Sequence, residues 1–323
     1  MSALEPLPQN ALITVFGGTG FLGRHIVRRL SKDGYRLRIA TRRPNEALFL
    51  KTNGRPGQIE IVQANIRDAA SINGALNGAD AVINAVGILY ESGKQKFDAV
   101  QARGAALIAD AAGKCEIAHM VHISAIGADA DSASSYAQSK AAGEAAVLEL
   151  MPQAHILRPS IVIGPEDDFF NRFAAMAMLA PALPLIGGGD TRYQPVSVFD
   201  VAEAVAACLN GAASGIYEIG GPDILSFKQL MEMLNKETRR NRLLVPLPFF
   251  AASMIAAIAQ FSTLVSLQPL LTPDQIILLK HDNIVSADFA DRDLAALGIE
   301  ARPIAGELDY LARFRPHGRN RAE

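Results

Sequence analysis

Cysteine is scarce in this sequence of 323 residues, and the net charge is small. It contains two cysteines, Cys115 and Cys208, and its formal net charge is −2. Because the cysteines are isolated and no Cys-x-x-Cys pair occurs, the sequence excludes a disulfide framework and a regularly spaced zinc site. We therefore predict reduced thiols, no metal site and a cytoplasmic protein. The balanced charge gives no support for nucleic-acid binding.

The first residues of the sequence show no pattern typical of a targeting segment. The polar, proline-containing stretch 5–10 precedes the first apolar run, and it carries no basic segment followed by a short apolar one. A presequence rich in arginine and serine is not recognisable either. We therefore expect no secretory signal peptide, and an organellar protein of this sequence would already have lost its transit segment.

Apolar residues, by contrast, are plentiful, and short apolar runs alternate with helical patterns in the first half of the chain. Strands are predicted at Leu12–Phe16, Leu37–Ala40, Ile59–Val62, Ala81–Asn84, Met120–Ile123 and Ile156–Leu157. Helices are predicted at Phe21–Ser31, Asp68–Leu76, Phe97–Ala112 and Ser134–Leu150. This alternation predicts an α/β fold with a Rossmann-type, doubly wound parallel sheet, in which ligands bind beyond the carboxyl ends of the strands.

The second half of the sequence is less regular. Proline and glycine are frequent between residues 159 and 195, and helical patterns resume at Asp200–Leu209 and Ser226–Asn235. We predict a Rossmann domain over residues 1–158 and a smaller C-terminal α/β lobe over residues 159–323, for substrate binding or interaction. The chain of the second lobe can cross back to the first sheet.

Glycines cluster between the first predicted strand and the first predicted helix. Residues 17–23 read Gly17-Gly18-Thr19-Gly20-Phe21-Leu22-Gly23. Gly17 allows the tight turn, Gly20 lets the backbone approach a pyrophosphate, and Gly23 lets the helix pack on the sheet. The phosphates would lie at the helix N-terminus, where N–H groups and the dipole favour negative charge. In this context the motif predicts a dinucleotide site, and a tight turn without ligand is the alternative.

The end of the second predicted strand bears on which dinucleotide is bound. An NAD site usually has an acidic residue there for the ribose 2′-hydroxyl, but this sequence reads Ala40-Thr41-Arg42-Arg43. Guanidinium groups suit a 2′-phosphate through their charge and bidentate geometry. Arg24, just after the last glycine, is a third candidate. We predict NADP(H) in preference to NAD(H), and a solvated basic turn is the alternative.

Other loops after the strands are predicted to contact the cofactor. A polar side chain after the third strand can meet the adenine, and a narrow backbone after the fourth can pass close to the cofactor. The predicted contacts are Asn65 and Ile66 after the third strand, Ala85, Val86 and Gly87 after the fourth, and Pro159, Ser160 and Ile161 after the sixth. Asp68 is predicted to be the N-cap of the following helix.

A tyrosine and a lysine begin the helical pattern after the fifth strand. Their spacing of four places Tyr136 and Lys140 on one helix face. The ammonium and the positive nicotinamide would lower the phenol's pKa from about 10, so that Tyr136 could act as general acid or base. Ser124, just past the fifth strand, could hydrogen-bond the same substrate oxygen. Binding of the cofactor's ribose by Tyr136 and Lys140 without chemistry is the alternative.

Together these motifs resemble those of the atypical or extended short-chain dehydrogenases/reductases. Within that superfamily the sequence most resembles the accessory subunit nine family of respiratory complex I (NADH:ubiquinone oxidoreductase) and its bacterial relatives. The resemblance covers nearly the whole chain. Its superfamily-wide motifs are 17–23 and 136–144, and it continues through 157–164, 165–173, 185–189, 194–202 and 271–286. The segments that point to this family are FFNRF at 169–173 and LTPDQIILLKHDN at the start of 271–286.

The resemblance implies tightly bound NADP(H), a peripheral position at a membrane-embedded complex, and a structural, assembly or regulatory role. In that family the dehydrogenase-type site is often incomplete. Here Ser124, Tyr136 and Lys140 are all present, while a fourth position, an asparagine in active relatives, falls near Gln101.

Two functions therefore stay open. The first is an accessory component of complex I or of a quinone-related membrane assembly, on the cytoplasmic face of the inner membrane or on the matrix side in an organelle. The second is an active NAD(P)-dependent oxidoreductase or epimerase that acts on a carbonyl, quinone or nucleotide-sugar substrate.

One stretch without charge bears on the first function. No charged residue occurs from Leu243 to Pro273, and prolines and polar residues interrupt the run, so that a membrane span is not predicted. Within 249–268, one helical stripe is apolar: Phe250, Met254, Ile258, Phe261 and Val265. This pattern predicts an amphipathic helix that packs on its own domain or contacts a membrane surface or a partner protein.

Overall fold

The computed structural model describes residues 4–260 and 272–316, with the backbone alone over 256–260. These residues form two compact units. Unit 1 comprises 4–159, 198–220 and 285–300, and unit 2 comprises 160–197, 221–260, 272–284 and 301–316. Each unit is therefore built from separate stretches of the chain, and segments 198–220 and 285–300 return to unit 1.

The strands, in chain order, are β1 (Leu12–Phe16), β2 (Arg36–Thr41), β3 (Ile59–Gln63), β4 (Ala81–Asn84), β5 (His119–Ile123), β6 (His155–Pro159), β7 (Val162–Ile163), β8 (Ala182–Ile186), β9 (Arg192–Tyr193), β10 (Val196–Ser197), β11 (Gly215–Ile219), β12 (Leu225–Ser226) and β13 (Leu243–Leu247). The helices are α1 (Phe21–Lys32), α2 (Ala69–Leu76), α3 (Arg103–Lys114), α4 (Ser135–Leu150), α5 (Phe170–Leu179), α6 (Val198–Leu209), α7 (Phe227–Glu237), α8 (Phe249–Gln260) and α9 (Pro273–Leu278).

Unit 1 is built on a parallel sheet of seven strands, in the order β11-β6-β5-β4-β1-β2-β3. The predicted fold class is confirmed, and the six predicted strands agree with the observed ones to within two residues at each end. Strands such as β1 and β4 are buried throughout, because helices cover both faces of such a sheet. The carboxyl ends of the strands therefore form one edge where the loops meet.

Strand β11 was not predicted. Its sequence carries Glu218 at a buried position, which interrupts an otherwise apolar run. In the structure Glu218 accepts from the Ser286 backbone N–H at 2.8 Å and lies 3.5 Å from the guanidinium of Arg158 on the neighbouring β6. An ion pair between strands thus replaces the apolar contact that the sequence pattern leads one to expect.

Side-chain caps define several helix starts. The Asp68 carboxylate accepts from the Ala70 N–H, as predicted for the N-cap of α2, and the Ser134 hydroxyl caps α4. The helix predicted at 97–112 differs from the structure, since a π-helical turn at Asp98–Ala102 precedes α3. Such turns widen a helix locally and are frequent at functional sites.

Unit 2 contains three two-stranded pairs, β10 with β7, β12 with β9, and β13 with β8. Its core contains an aromatic group of Phe169, Phe173, Tyr193 and Phe227, whose rings meet edge to face or tilted. Over the described ranges, no helix is both long and apolar enough to cross a membrane.

Candidate dinucleotide site and catalytic residues

The loop between β1 and α1 is as tight as the glycine motif requires. A Cβ added at Gly17, whose φ is +81°, would lie 2.7 Å from the carbonyl carbon and oxygen of Ala85. A Cβ added at Gly23 would lie 2.1 Å from the Gly17 oxygen. Helix α1 begins after Gly20 with no side-chain cap and no acidic residue in its first turn. The positive end of α1 therefore faces this loop without a built-in anion, which suits a pyrophosphate.

The remaining loop residues support this turn. A Cβ at Gly18 would meet the Ile39 side chain at 3.0 Å, so that this glycine also lies close against the sheet. The Thr19 carbonyl accepts from the Arg24 guanidinium at 3.1 Å. Phe21 and Leu22 are half-buried, and the Phe21 ring meets His25 edge to face with 5.8 Å between centroids.

The predicted basic residues lie in two different environments. The Arg24 guanidinium folds back over the glycine loop and stands 5.3 Å above the Phe49 ring. Arg42 and Arg43 are exposed, and Arg43 pairs at 3.0 Å with Glu46, which is itself largely exposed. Such a surface pair contributes little to stability, so the Arg43 guanidinium can reorient towards an anion.

A surface cavity of about 320 Å³ lies beyond β2 and β3, lined by Arg42, Gln63, Ala64, Asn65, Asp68 and Ser71. Arg42 and Asn65 are predicted cofactor contacts, whereas Gln63 and Ser71 are not. The Asn65 side-chain oxygen accepts from the Arg67 backbone N–H at 3.2 Å, and the Asn65 backbone N–H donates to the Ser71 hydroxyl at 2.9 Å. Ile66 is buried, and a Cβ at Gly104 would lie 2.9 Å from its Cδ1. Asn65 therefore shapes the cavity, whereas the Ile66 side chain fixes α3 to the sheet.

The structure brings Tyr136 and Lys140 together on α4, with the Lys140 Nζ 5.9 Å from the centre of the Tyr136 ring. Lys140 is buried, and its ammonium donates to the Ile123 carbonyl at 3.2 Å, next to Ser124. Desolvation lowers the pKa of Lys140 to about 8, although the nearby Glu144 carboxylate opposes this shift. A lysine with such a pKa is readily available as a hydrogen-bond donor and for proton exchange near neutral pH.

The loop after β4 lies against the same lysine. A Cβ at Gly87 would be 3.5 Å from the Lys140 Nζ and 3.6 Å from the Gln101 side-chain oxygen. Gln101, in the π-helical turn, accepts from the Ile88 N–H at 3.2 Å and donates to the Ser139 hydroxyl at 2.8 Å. Gln101 thereby joins this loop to α4, and the backbone of Ala85, Val86 and Gly87 borders the site.

The predicted contacts after β6 are arranged differently. Pro159 ends β6 in unit 1, whereas Ser160 and Ile161 begin unit 2. The buried Ser160 hydroxyl lies 2.9 Å from the Asn283 carbonyl oxygen and 2.7 Å from its side-chain oxygen. Because this hydroxyl is engaged within unit 2, a cofactor contact at Ser160 would have to use the backbone.

Sequence reasoning missed one buried polar pair at the same edge of the sheet. Asn84 is the last residue of β4, and it pairs with His122, the last but one of β5, with 3.0 Å between Asn84 Nδ2 and His122 Nδ1. The available signal was the position of His122, two residues before Ser124. Elsewhere in the described part of the chain, no three His, Cys, Asp or Glu residues converge as metal ligands.

Comparison with known proteins agrees with this geometry. The model of the NAD dependent epimerase/dehydratase family matches residues 13–220, more than half of the chain. The chain belongs to this family.

The relatives of the chain also confirm the resemblance to the complex I subunit. A mitochondrial NADH dehydrogenase [ubiquinone] 1 alpha subcomplex subunit 9 from Arabidopsis thaliana is 36% identical over 95% of this chain and 79% of its own. A ceramide reductase from Caulobacter vibrioides is 31% identical over 64% of each chain. An NADPH-dependent quinone oxidoreductase from Escherichia coli, solved with NADPH, shares the fold, with a TM-score of 0.71, 21% identity, and coverage of 93% of this chain and 99% of its own.

Proposed function

We propose that this chain is an NADP(H)-binding accessory subunit that associates peripherally with a respiratory NADH:quinone oxidoreductase. The observation that carries the proposal is the 36% identity to the Arabidopsis subunit over 95% of the chain. The similarity thus extends through the stretches that form unit 2, well beyond the nucleotide-binding motif. In this proposal the protein lies on the cytoplasmic face of the inner membrane, or on the matrix side in an organelle.

An apolar surface on unit 2 supports the docking role. We use this name for six exposed side chains: Leu179, Leu243, Val245, Phe250, Met254 and Ile255. Leu179 is 91% exposed and Phe250 is 72% exposed. Monomeric soluble proteins rarely expose large contiguous apolar patches, and such patches usually contact a partner or a membrane.

The local structure explains why these residues stay outside. The Leu243 N–H donates to the Pro181 carbonyl at 3.2 Å, which places the start of β13 just after the end of α5, where Leu179 lies. Helix α8 follows β13 and turns Ala252 inward, while Phe250 and Met254 point out. Phe250 and Met254 belong to the predicted apolar stripe. Because both are exposed, the predicted packing of this stripe on its own domain is wrong for these two residues. Phe261 and Val265 lie outside the described residues, as does the side chain of Ile258.

The preference for NADP(H) rests on the cavity at the end of β2. Arg42 lines it, no acidic residue ends β2, and Arg43 is exposed beside it. When bound, the dinucleotide would supply hydride chemistry, while the glycine loop would hold its pyrophosphate. Arg42 and Arg43 would then bind the 2′-phosphate, and Lys140 the ribose hydroxyls.

The first experiment on the cofactor is to denature protein purified without added nucleotide, and to identify the dinucleotide that is released. We expect NADP(H) at close to one per chain. Arg42→Ala combined with Arg43→Ala should then weaken NADPH binding at least roughly tenfold, as expected for lost charged hydrogen bonds, and leave NADH binding unchanged. Arg55→Ala, an exposed arginine outside the cavity, is the control. Equal losses for both dinucleotides would contradict the assignment of the 2′-phosphate.

The docking role is tested by membrane fractionation and co-purification in the native organism. We expect the protein to sediment with membranes and to co-purify with NADH:quinone oxidoreductase activity. Phe250→Ser with Met254→Ser should release it into the soluble fraction without unfolding it. Leu150→Ser, at an exposed apolar position of unit 1, should leave it bound. A wild-type protein that is wholly soluble and copurifies with no respiratory subunit would refute the proposal.

A second candidate function is reduction of a carbonyl compound, a quinone or a lipid. It is favoured by the convergence of Tyr136, Lys140 and the segment of Ser124, and by the similarity to a ceramide reductase. In this case NADPH is oxidised on addition of a suitable ketone or quinone, and Tyr136→Phe abolishes turnover but retains NADPH binding. Turnover that survives Tyr136→Phe would exclude this use of the site.

A further inference from the structure

Asn84 and His122 form a buried hydrogen-bonded pair that has a defined direction. The Val86 N–H donates to the Asn84 side-chain oxygen at 3.2 Å, which fixes the orientation of the amide. The amide N–H then faces His122 Nδ1 at 3.0 Å. Since the amide nitrogen has only protons to offer, Nδ1 is the acceptor and the imidazole proton must lie on Nε2.

The environment of His122 keeps the ring neutral. Only 2% of the residue is exposed, and burial, aided by the positive charge of Lys140, lowers its pKa to about 3. A neutral ring with Nδ1 engaged offers one function, the donation of the Nε2–H. That function is constant across the physiological pH range, because neither the tautomer nor the charge changes there.

Two buried polar side-chain atoms have no hydrogen-bond partner among the described residues, His122 Nε2 and Ser124 Oγ. The Ser124 N–H donates to the Leu157 carbonyl at 2.7 Å, so strand geometry continues through Ser124. Residues 122 and 124 therefore project to the same face. Between them, the Ile123 carbonyl accepts from the Lys140 Nζ at 3.2 Å. Buried polar atoms without partners cost free energy, so that a shared partner at this point is strongly favoured.

We propose that His122 is a positioning residue, whose Nε2–H donates through one bridging water to Ser124 and so turns the Ser124 hydroxyl proton towards the substrate oxygen. The water accepts from His122 and from the Lys140 ammonium, and it donates to Ser124 Oγ. Because the Ser124 oxygen accepts this hydrogen bond, its O–H is available to donate to the substrate oxygen. The chain of donors thus runs from the Val86 N–H, through Asn84 and His122, to Ser124.

This inference rests on the dehydrogenase-type site of the second candidate function, yet it is tested on the histidine itself, without turnover. The protein is labelled with ¹⁵N-histidine, and the ring resonances of His122 are assigned by comparison with His122→Gln. We expect an imine-type Nδ1 shift and a protonated Nε2, both constant between pH 5 and pH 8. A protonated Nδ1, or a ring that titrates within this range, would overturn the proposal.

Two variants probe the two ends of the chain of donors. Ser124→Ala should shift the Nε2–H resonance and speed its exchange with solvent, whereas Ser71→Ala, in the distant cavity, should change neither. Asn84→Asp replaces the amide donor by a carboxylate acceptor of equal size, and it should move the proton to Nδ1. An unchanged Nε2–H resonance in Ser124→Ala would sink the link to Ser124, even if Asn84→Asp fails to fold.

Discussion

The two units treat their apolar residues differently. Unit 2, the smaller one, holds eight of the large apolar side chains that are exposed in the described residues: Met178, Leu179, Ile224, Leu243, Val245, Phe250, Met254 and Ile255. Unit 1 holds four: Leu48, Phe49, Leu89 and Leu150. In unit 1, Phe49 stands under the Arg24 guanidinium beside the glycine loop.

The contrast matches the two roles that we propose, binding of a dinucleotide by unit 1 and docking by unit 2. A dinucleotide site demands close backbone approach, and this requirement is visible in the sequence as a glycine motif. In unit 1, backbone atoms lie within 3 Å of the position that a Cβ would take at Gly17 and at Gly23. A docking surface demands only exposed apolar area, and many sequences can supply that.

The largest effect is expected in the glycine loop. Gly23→Ala would place its Cβ 2.1 Å from the Gly17 oxygen, and a backbone atom cannot yield as a flexible side chain can. We expect a loss of about 3 kcal/mol in the free energy of unfolding and no measurable NADPH binding. Chemical denaturation and the fluorescence of bound NADPH measure the two effects.

Gly74→Ala is the matched control, because Gly74 lies in α2 and a Cβ there would meet nothing within 4 Å. It should stabilise the protein by about 0.5–1 kcal/mol, as alanine does in place of glycine inside a helix. If Gly23→Ala behaved like this control, the tight loop would have no role in binding.

Much of unit 1 could be predicted because its elements follow simple physical patterns. Buried parallel strands are continuous apolar runs, and Gly17, Gly20 and Gly23 occur at a spacing that few other structures need. The partners of Gln101 could not be predicted, since they depend on a π-helical turn and on side chains distant in sequence. The same holds for Asn84 and His122, which only the register of β4 and β5 brings together.

In unit 2, neighbouring phenylalanines at the start of α8 should differ in their effect on stability. Phe249 is half-buried, and its ring packs so closely on Gly187 that a Cβ added there would lie 2.3 Å from the Phe249 Cζ. Phe250, by contrast, is exposed. Phe249→Ala should cost about 2 kcal/mol, since the ring fills space that cannot close fully. Phe250→Ala should change the free energy of unfolding by less than about 0.5 kcal/mol.

Comparing Phe249→Ala with Phe250→Ala shows whether the exposed face of α8, within the charge-free stretch, belongs to the core of unit 2 or to its apolar surface. The sequence could not tell the two faces of α8 apart, because both phenylalanines fit an amphipathic helix and the contact with Gly187 is not local. Equal losses for the two variants in thermal and chemical denaturation would mean that Phe250 is part of the core of unit 2. The apolar surface would then lose its most exposed aromatic side chain.

The smallest effect concerns acid stability and returns to unit 1. The pKa of His122 is about 3 in the folded protein, against an ordinary value of 6.5, because the buried ring resists charging. Between these values the unfolded chain binds more protons, so the free energy of unfolding falls as the pH decreases below 6.5. From this histidine alone the loss is about 1.4 kcal/mol at pH 5.5.

His122→Gln should remove that part of the pH dependence, as measured by urea unfolding at pH 7.5 and at pH 5.5. His119→Gln is the comparison, since its ring is only half-buried and its pKa is lowered by burial alone; it should change the slope less. Parallel pH curves for wild type and His122→Gln would show that the ring takes up its second proton as readily in the folded protein as in the unfolded chain, and a ring held neutral as an Nε2–H donor would then have no physical basis.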